Sequence, residues 1–465
     1  MSIFATLLLI QAEENARPWS DSSISPIPEH SVEFDTRWVE ESPRAVPYDN
    51  GLGKVRAQYA PFSNFQSGRH WLRGLNSTVR FYESASVTSR GALHFRPRLE
   101  IDYARSGNSQ AGLKVESLYA LAKLWNVEVR VGRDHLVWGP TDEGGLEFSN
   151  NALPLDMIKI SAAEPFQFPW LFRYLGPTQA VFFVARSEGG REMSNAYVYG
   201  LFLAIHPFRN FEFGGSQSIW IGGKGARSKH VYWADPITEF LHIRHGPFDP
   251  GPQSISDHRI GFHLRLHLPD WGNSTFYAQT LFEDIVFEGF DLNFTERMAY
   301  LTGLKIRRIG ALGSWSFKTE FRSVPARLFR HESFTDGHSR YERSIGSPLN
   351  SDSMALLAAL RYRQNERWSY GIQPEYEWAR AHTYRQVLTS SGNAGKAIRL
   401  NSQPEERRLR IRLDTHFRFS PRWKLKWDGA YEHIDNFAFA AGRSRHHWMM
   451  GTSILYQFSR DTLSE

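Results

Sequence analysis

The sequence has no cysteine among its 465 residues. A disulfide framework, a thiolate metal site and a cysteine nucleophile are therefore excluded. Long apolar runs are also missing: stretches such as 180–185 and 355–360 contain six residues each, whereas a membrane-spanning helix needs roughly 18. If this chain crosses a bilayer, it must do so with β-strands.

Charge of one sign is not in large excess. The 55 basic and 49 acidic residues give a net charge of +6, and the basic residues are spread along the chain. This distribution argues against nucleic-acid binding and leaves an acidic glycan or a lipid as a partner.

Motifs of catalysis are lacking as well. The sequence contains no GxSxG-like elbow, HExxH or Walker-type loop. Adjacent pairs such as Asp134 with His135 would point to opposite faces of a strand, which argues against a catalytic dyad. We expect no enzymatic activity, no cofactor and no metal site.

The sequence is rich in apolar and charged residues that alternate. In LRIRLDTHFRF (409–419) the apolar residues fall on one face and the charged residues on the other, and 127–133, 258–268 and 423–434 repeat the pattern. Period two predicts strands. A half-buried strand of a soluble sandwich and a strand of a membrane barrel both alternate in this way.

The connections separate these two alternatives. Short turns such as 125–126 and 420–422 alternate along the chain with long polar connections such as 222–257 and 325–353. This arrangement is typical of outer-membrane barrels. We therefore predict an all-β fold, a transmembrane antiparallel up-and-down β-barrel of about 18 strands. The predicted strands are 51–60, 76–86, 92–104, 112–124, 127–138, 156–166, 178–187, 196–205, 211–221, 258–268, 274–284, 298–308, 314–324, 354–363, 367–380, 407–419, 423–433 and 447–458.

Aromatic residues and the chain ends fit this fold. Trp125, Trp271, Trp315, Trp368 and Trp423 lie in or beside short turns, where an aromatic girdle would meet the membrane interface. Residues 1–16 are expected to be a signal peptide because they contain a short apolar stretch. This signal peptide would be atypical, because no Lys or Arg precedes that stretch. Residues 17–50 are expected to form a periplasmic segment and at most a reduced plug, 51–458 the barrel, and 459–465 a periplasmic tail.

Five stretches are more specific than alternation. They are VGRDHLVWGPTDEGGLEFSNNALP (131–154), WLFRYLGP (170–177), FEFGGSQSIWIGGKGAR (211–227), STFYAQTLFED (274–284) and RSIGSPLNSDSM (343–354). In content and order they resemble the capsule assembly protein Wzi family over roughly residues 76–458. The resemblance implies an eighteen-stranded outer-membrane lectin that holds capsular polysaccharide at the cell surface. It also implies an N-terminal helical plug, which is not expected here because Pro26, Pro28, Pro43 and Pro47 interrupt that segment.

The loop GGKGARSKHVYWADP (222–236) places cations beside aromatic rings. Cations pair with the carboxylates of an acidic polysaccharide, and aromatic faces pack against sugar rings. The glycan-binding candidates are Lys224, Arg227, Lys229, His230, Tyr232 and Trp233, with further contacts expected in 325–353. The alternative is that this Gly-rich loop folds back and lines the lumen.

Two further groups are expected to be structural. The family-motif residues are Trp138, Gly139, Pro140, Gly222, Gly223 and Gly225, of which Trp138 is also a candidate for an external girdle. The charged residues expected to face the lumen and form cross-strand ion pairs are Arg130, Arg265, Lys318, Arg410, Arg412 and Asp414. A conductive pore lined by these charges is the alternative.

The expected function is that of a monomeric lectin that binds and retains capsular or extracellular polysaccharide during capsule assembly. Its expected partners are that polysaccharide, outer-membrane lipid and polysaccharide export machinery. The expected location is the outer membrane, with extracellular loops and periplasmic termini. A diffusion porin with a charged lumen that passes anionic solutes is the alternative function.

Overall fold

The chain forms one closed antiparallel sheet of 18 strands. The computed structural model describes residues 30–104, 109–224, 256–283, 297–309, 314–388 and 394–458. The barrel strands are β1 (Ser31–Val39), β2 (Gly74–Thr88), β3 (Gly91–Ala104), β4 (Gln110–Leu124), β5 (Val127–Asp134), β6 (Leu155–Ala162), β7 (Thr178–Arg186), β8 (Tyr197–Phe208), β9 (Phe211–Ile221), β10 (Ser256–Leu268), β11 (Ser274–Glu283), β12 (Met298–Ile309), β13 (Trp315–Val324), β14 (Ser353–Arg363), β15 (Trp368–Ala379), β16 (Glu406–Arg418), β17 (Trp423–Asp435) and β18 (Arg445–Gln457).

Each strand pairs with its neighbours along the chain, and β1 closes the ring by pairing with both β2 and β18. The predicted fold class is therefore confirmed. No helix among the described residues is both long and apolar enough to cross a membrane. The other elements are 3-10 turns and short pairings: Pro61–Ser63, Trp170–Leu175, Phe437–Phe439, Arg44–Ala45 with Gln58–Tyr59, Ser339–Arg340 with Arg343–Ser344, and Thr383–Leu388 with Ala394–Asn401.

The barrel strands carry charge on the inside and apolar side chains on the outside. In β16, Arg410 is 1% exposed whereas Leu413 is 55% exposed. An apolar belt of this kind is favourable only where the surrounding solvent is lipid. The alternation in 409–419 therefore belongs to a membrane barrel and not to a soluble sandwich.

The first barrel strand lies before the predicted one. The prediction of a strand at 51–60 is wrong, because β1 is Ser31–Val39, with Phe34 and Trp38 exposed and Arg37 buried. The barrel thus begins at Ser31, inside the segment expected to be periplasmic. Both stretches alternate at period two, so the local pattern does not show which of them enters the barrel wall.

Residues 40–73 instead fold into the barrel interior. Tyr59 donates a hydrogen bond to the Glu432 carboxylate of β17 and lies beneath the Arg408 guanidinium, 3.9 Å from ring centroid to Cζ. Leu52 and Val55 are buried in the same segment. The period-two pattern of 51–60 therefore reflects an extended chain packed against the interior.

The two ends of the barrel differ. Short turns gather at one end, together with His30 and Phe458, which are joined by a 2.8 Å hydrogen bond from the Phe458 backbone N–H to the His30 carbonyl. Trp125, Trp271, Trp315 and Trp423 are exposed at this short-turn end, as the girdle prediction requires, whereas Trp368 is half-buried. The long loops leave the other end, which positions the candidate site.

Candidate functional site at the long-loop end

Long loops fold inward and meet across the barrel. Segments 135–154 and 325–352 join residues 40–73 in the interior, where apolar side chains form three buried clusters. The first cluster contains Leu136, Trp138, Phe148, Ala152, Leu155, Met157, Phe183, Ala185, Met193, Ala196, Val198, Trp220, Phe334 and Ile345. A hydrophobic core inside the barrel therefore supports the loop end from below.

Trp138 belongs to this inner core. It is 4% exposed and packs edge-on against Phe148 and Phe183, with ring centroids 4.8 and 5.3 Å away. The assignment of Trp138 to an external girdle is therefore wrong. β5 ends at Asp134, before the motif, so the chain has already turned inward at Trp138.

The Trp-Gly-Pro motif holds its place through backbone groups. Gly139 has a φ of +118°, which favours glycine. The Arg265 guanidinium donates to the Gly139 carbonyl at 2.8 Å and to the Pro140 carbonyl at 3.0 Å. Arg265 thus links the motif to β10.

A buried arginine joins the three inward-folded segments. The Arg343 guanidinium donates to the Ser63 carbonyl at 2.9 Å and to the Asn151 amide oxygen at 2.8 Å. Burial without a carboxylate partner lowers the pKa of Arg343 to about 10. Arg330 acts similarly on the Pro47 and Tyr48 carbonyls, at 2.9 and 3.0 Å, and burial also lowers its pKa to about 10.

A neutral histidine lies beneath the same loops. His338 Nε2 donates to the Glu147 carbonyl at 2.6 Å. Burial and the neighbouring Arg259 cation hold the pKa of His338 well below its ordinary value. Burial raises the pKa of the nearby Glu147 carboxyl, which accepts a 2.6 Å hydrogen bond from the Ser216 hydroxyl. These contacts favour a fixed, closed arrangement of the loops.

The charged residues predicted for the lumen lie there and have partners. Arg130 meets Glu128 at 2.6 Å, Lys318 meets Glu320 at 3.3 Å, Arg410 meets Glu432 at 2.8 Å, Asp414 meets Arg361 at 2.9 Å, Arg265 meets Glu212 at 3.3 Å, and Arg412 donates to the Pro61 carbonyl. Arg410 and Arg412 also touch the inner segment, through Tyr59 and Pro61. These charges therefore position the inner segment as well as the strands.

The predicted glycan loop is described only at its start. Gly222 and Gly223 have φ values of +69° and +107° and turn the chain out of β9. The Lys224 backbone N–H then donates to the Ser194 carbonyl at 2.8 Å, and its side chain is exposed. Gly225 and the candidates Arg227, Lys229, His230, Tyr232 and Trp233 lie outside the described residues.

A different residue stands out in the 325–353 loop. Most of this loop is buried, but Tyr341 is 50% exposed at the tip of a two-residue hairpin that pairs Arg340 with Arg343. Tyr341 and Glu342 have φ values of +46° and +61°. Such a turn normally carries Asn-Gly, because side chains are strained there. The fold thus holds a tyrosine outward at a cost in local stability.

Neighbouring segments brace this turn. The Glu188 carboxylate accepts a 3.1 Å hydrogen bond from the Tyr341 backbone N–H, and the Glu342 carbonyl accepts one of 2.8 Å from the Gln58 backbone N–H. Two residues before Gln58, the Arg56 guanidinium lies 6.0 Å from the ring centroid of exposed Tyr48. Tyrosine faces and guanidinium groups therefore lie together on the exposed loop end.

No sequence motif marks Tyr48, Arg56 or Tyr341 as functional residues. Tyr341 falls in the predicted loop, but its strained conformation has no sequence signal beyond a Tyr-Glu pair between two arginines. Tyr48 falls in the segment 17–50, and Arg56 falls in the stretch 51–60 that alternates like a strand. Their exposure depends on the inward fold of residues 40–73.

Comparison with known proteins agrees with this architecture. The sequence model of the family described as capsule assembly protein Wzi matches residues 51–447. The chain belongs to the capsule assembly protein Wzi family. No curated protein matches it.

A solved structure of another outer-membrane protein shows the same fold as this chain. The outer-membrane protein Wzi of Escherichia coli superposes with a TM-score of 0.62 at 16% identity, covering 92% of this chain and 84% of that chain. That protein is involved in group 1 capsule assembly and is a carbohydrate-binding β-barrel. OccD3 of Pseudomonas aeruginosa gives a TM-score of 0.48 at 8% identity, covering 96% and 98%.

The closed barrel and the family together place this protein in the outer membrane. The short turns lie at the periplasmic side together with His30 and Phe458, which flank the first and last barrel strands, and the long loops are extracellular. The surface that carries Tyr48, Arg56, Lys224 and Tyr341 therefore faces the cell exterior.

Proposed function

We propose that this protein is an outer-membrane lectin that binds capsular or extracellular polysaccharide with its extracellular loops and retains it during capsule assembly. The observation that carries the proposal is the exposed Tyr341, held outward on a strained and braced turn. Carbohydrate binding by the Escherichia coli relative supports the same reading. The proposed action is binding without a covalent step.

The mechanism is surface retention by several weak contacts. Tyrosine faces pack against sugar rings, and Arg56 and Lys224 pair with carboxylates of the polymer. A repeating polymer presents many copies of one epitope, so weak contacts strengthen one another through effective concentration. A deep binding site is not required. We expect the protein to act as a monomer that receives polymer from the export machinery.

The loop 222–257 remains part of the proposal. Its start, Lys224, lies beside Ser194 on the extracellular surface. Arg227, Lys229, His230, Tyr232 and Trp233 are proposed to extend the contacts. In 325–353 the proposed contact narrows to Tyr341, because most of the loop is buried.

Retention of polysaccharide on cells tests this function. One variant carries alanine at Lys224, Arg227, Lys229, Tyr232 and Trp233, and a second carries Tyr341→Ala. Cell-bound polysaccharide should fall and released polysaccharide should rise, with total synthesis unchanged. Tyr174→Ala is the matched control, because Tyr174 is also an exposed tyrosine but lies at the periplasmic end. Unchanged retention in both loop variants would overturn the proposal.

A further inference from the structure

The periplasmic half of the barrel encloses a chamber separate from the extracellular surface. Its volume is about 1270 Å³, larger than the roughly 300–1,000 Å³ of usual small-ligand sites. Residues 59 and 64–67 of the inner segment lie along its closed end. Residues 363, 365–369 and 424–426 at the short turns lie along its other end, so within the described part of the chain the chamber opens toward the periplasm.

The mouth of this chamber is cationic. It is lined by Arg363, Arg367, Arg418, Lys424 and Lys426, with Glu366 as the carboxylate of the same turn. Lys426 lies 3.8 Å from Asp428. Across the described residues, the side chains of the other four cations have no ion-pair partner.

Two of these cations oppose each other directly. Arg418 of β16 is the register partner of Lys424 of β17, and His416 is the partner of Lys426. Like charges placed opposite each other on neighbouring strands destabilise a sheet. An anion bound between Arg418 and Lys424 would remove this repulsion.

Unpaired polar atoms lie deeper in the chamber. Ser117 is 1% exposed, and its hydroxyl has no hydrogen-bond partner among the described residues. Its cross-strand neighbour Arg96 has a buried Nε that also lacks a partner in that part of the chain. Both residues line the chamber. A bound ligand would supply the missing acceptor, whereas an unpaired buried polar group costs free energy.

Aromatic faces stand beside these donors. The Arg96 guanidinium lies 4.7 Å from the Tyr82 ring centroid, and the Arg130 guanidinium lies 5.1 Å from that of Tyr119. Rings next to cations suit a ligand with both sugar faces and carboxylates.

We propose that the chamber is a second ligand site, open to the periplasm, that binds an acidic oligosaccharide. Its carboxylates pair with Arg418 and Lys424 at the mouth, and its hydroxyl groups reach Ser117 and Arg96 inside. The sugar part of this assignment rests on the proposed function, whereas the anionic part rests on the chamber alone.

Calorimetric titration of the full chain in detergent tests the site. The probes are tetragalacturonate, uncharged maltotetraose and hexaglutamate. Tetragalacturonate should bind tightest, and its affinity should fall as salt rises. Equal binding of maltotetraose would overturn the anionic assignment, and tighter binding of hexaglutamate would overturn the sugar assignment.

Single and double variants test whether tetragalacturonate binds in the chamber. The pair Arg418→Gln and Lys424→Gln should weaken tetragalacturonate binding about tenfold or more, and Ser117→Ala should weaken it a few-fold. Arg422→Gln is the matched control, because Arg422 is an exposed turn cation outside the chamber lining. Heat-modifiable gel mobility confirms that each variant is folded. Equal affinities in wild type and the mouth variant would overturn the site.

Different variants test the chamber site and the extracellular lectin surface, so each proposal can fail without the other. Tyr341→Ala should leave tetragalacturonate titration unchanged, since Tyr341 does not line the chamber. The Arg418 and Lys424 variant should leave polysaccharide retention on cells unchanged. Loss of retention in that variant would contradict a separate chamber site.

Discussion

Arg343 donates a 2.8 Å hydrogen bond to Asn151, 192 positions away in the sequence. The same guanidinium holds the Ser63 carbonyl, so one buried side chain fixes three segments that leave different strands. The extracellular surface is therefore built on this interior contact.

Replacement of Arg343 should loosen the inner segment without opening the barrel. Arg343→Met leaves the Ser63 and Asn151 acceptors buried and unpaired, which costs about 1–3 kcal/mol for each group. Hydrogen exchange within 60–73 should accelerate, while the heat-modifiable gel shift persists. Arg343→Lys keeps the charge but lacks the planar fork and should show an intermediate effect. Unchanged exchange in the Met variant would contradict the bridging role.

Acid should release the same segment. Burial, with the neighbouring Arg343 cation, lowers the pKa of His70 to about 4, and burial lowers that of His135 to about 4. The unfolded segment titrates near 6.5, so it binds more protons between pH 6.5 and 4, and stability falls as pH falls through that window. The slope is roughly 1.4 kcal/mol per pH unit for each histidine.

Hydrogen exchange within 64–73 at pH 7 and pH 4.5 measures this effect. His135 contacts the Ser67 hydroxyl at 3.0 Å, and His70 donates to the Tyr341 carbonyl at 3.3 Å. The double variant His70→Gln and His135→Gln should lose most of the pH dependence. The same dependence in both proteins would exclude these histidines as its source.

Variants of the strained turn at Tyr341 separate the effect of backbone strain on stability from the effect of the tyrosine ring on polysaccharide binding. Glu342→Gly should stabilise the hairpin by about 1 kcal/mol or more and keep retention, because glycine accepts positive φ and the tyrosine remains. Tyr341→Asn should relax the turn but weaken polysaccharide binding about tenfold through loss of the ring. Thermal unfolding and retention on cells measure the two effects. Normal retention in Tyr341→Asn would show that the ring is dispensable.

Packing between the two inward loops should tolerate no side chain at Gly346. A Cβ there would lie 1.9 Å from the Leu146 carbonyl oxygen and 2.7 Å from that of Glu147. Gly346→Ala should therefore cost about 1–3 kcal/mol or more. Gly189→Ala is the matched control, because its Cβ would meet open space. The temperature of the gel-mobility shift should fall for the first variant only.

Planar-bilayer recordings distinguish the lectin from the porin alternative. The inner segment and the loops 135–154 and 325–352 cross the interior, so wild-type protein should give no large stable openings. Deletion of 44–72 should produce salt-dependent openings, because Tyr59 and Pro61 no longer occupy the space beside Arg410 and Arg412. Large openings in wild type would favour the porin.

The strand pattern was predictable because it depends on the local alternation of apolar and charged residues, and on which face of each strand meets lipid. Arg410 and Leu413 adopt opposite faces through strand geometry alone, and turn length identifies the lipid-facing architecture. The first strand was missed because residues 51–60 alternate equally well while buried inside the barrel.

The candidate site was less predictable because it depends on long-range packing. Trp138 is buried by Phe148 and Phe183 after the chain turns inward. The local sequence does not predict whether the chain turns inward or outward at this point. Tyr341 is exposed because its hairpin is held by Gln58 and Glu188 from distant segments. The paired lumen charges were expected, whereas the apolar core above the chamber was not.

The seam between β1 and β18 constrains how the protein matures. The Ser453 hydroxyl donates a 2.9 Å hydrogen bond to Asp35, 418 positions earlier in the chain. β1 therefore has one open edge until nearly the whole chain has been delivered to the membrane. Long-range closure of this kind slows folding, and the open edges of β1 and β18 are exposed to aggregation until the two strands pair.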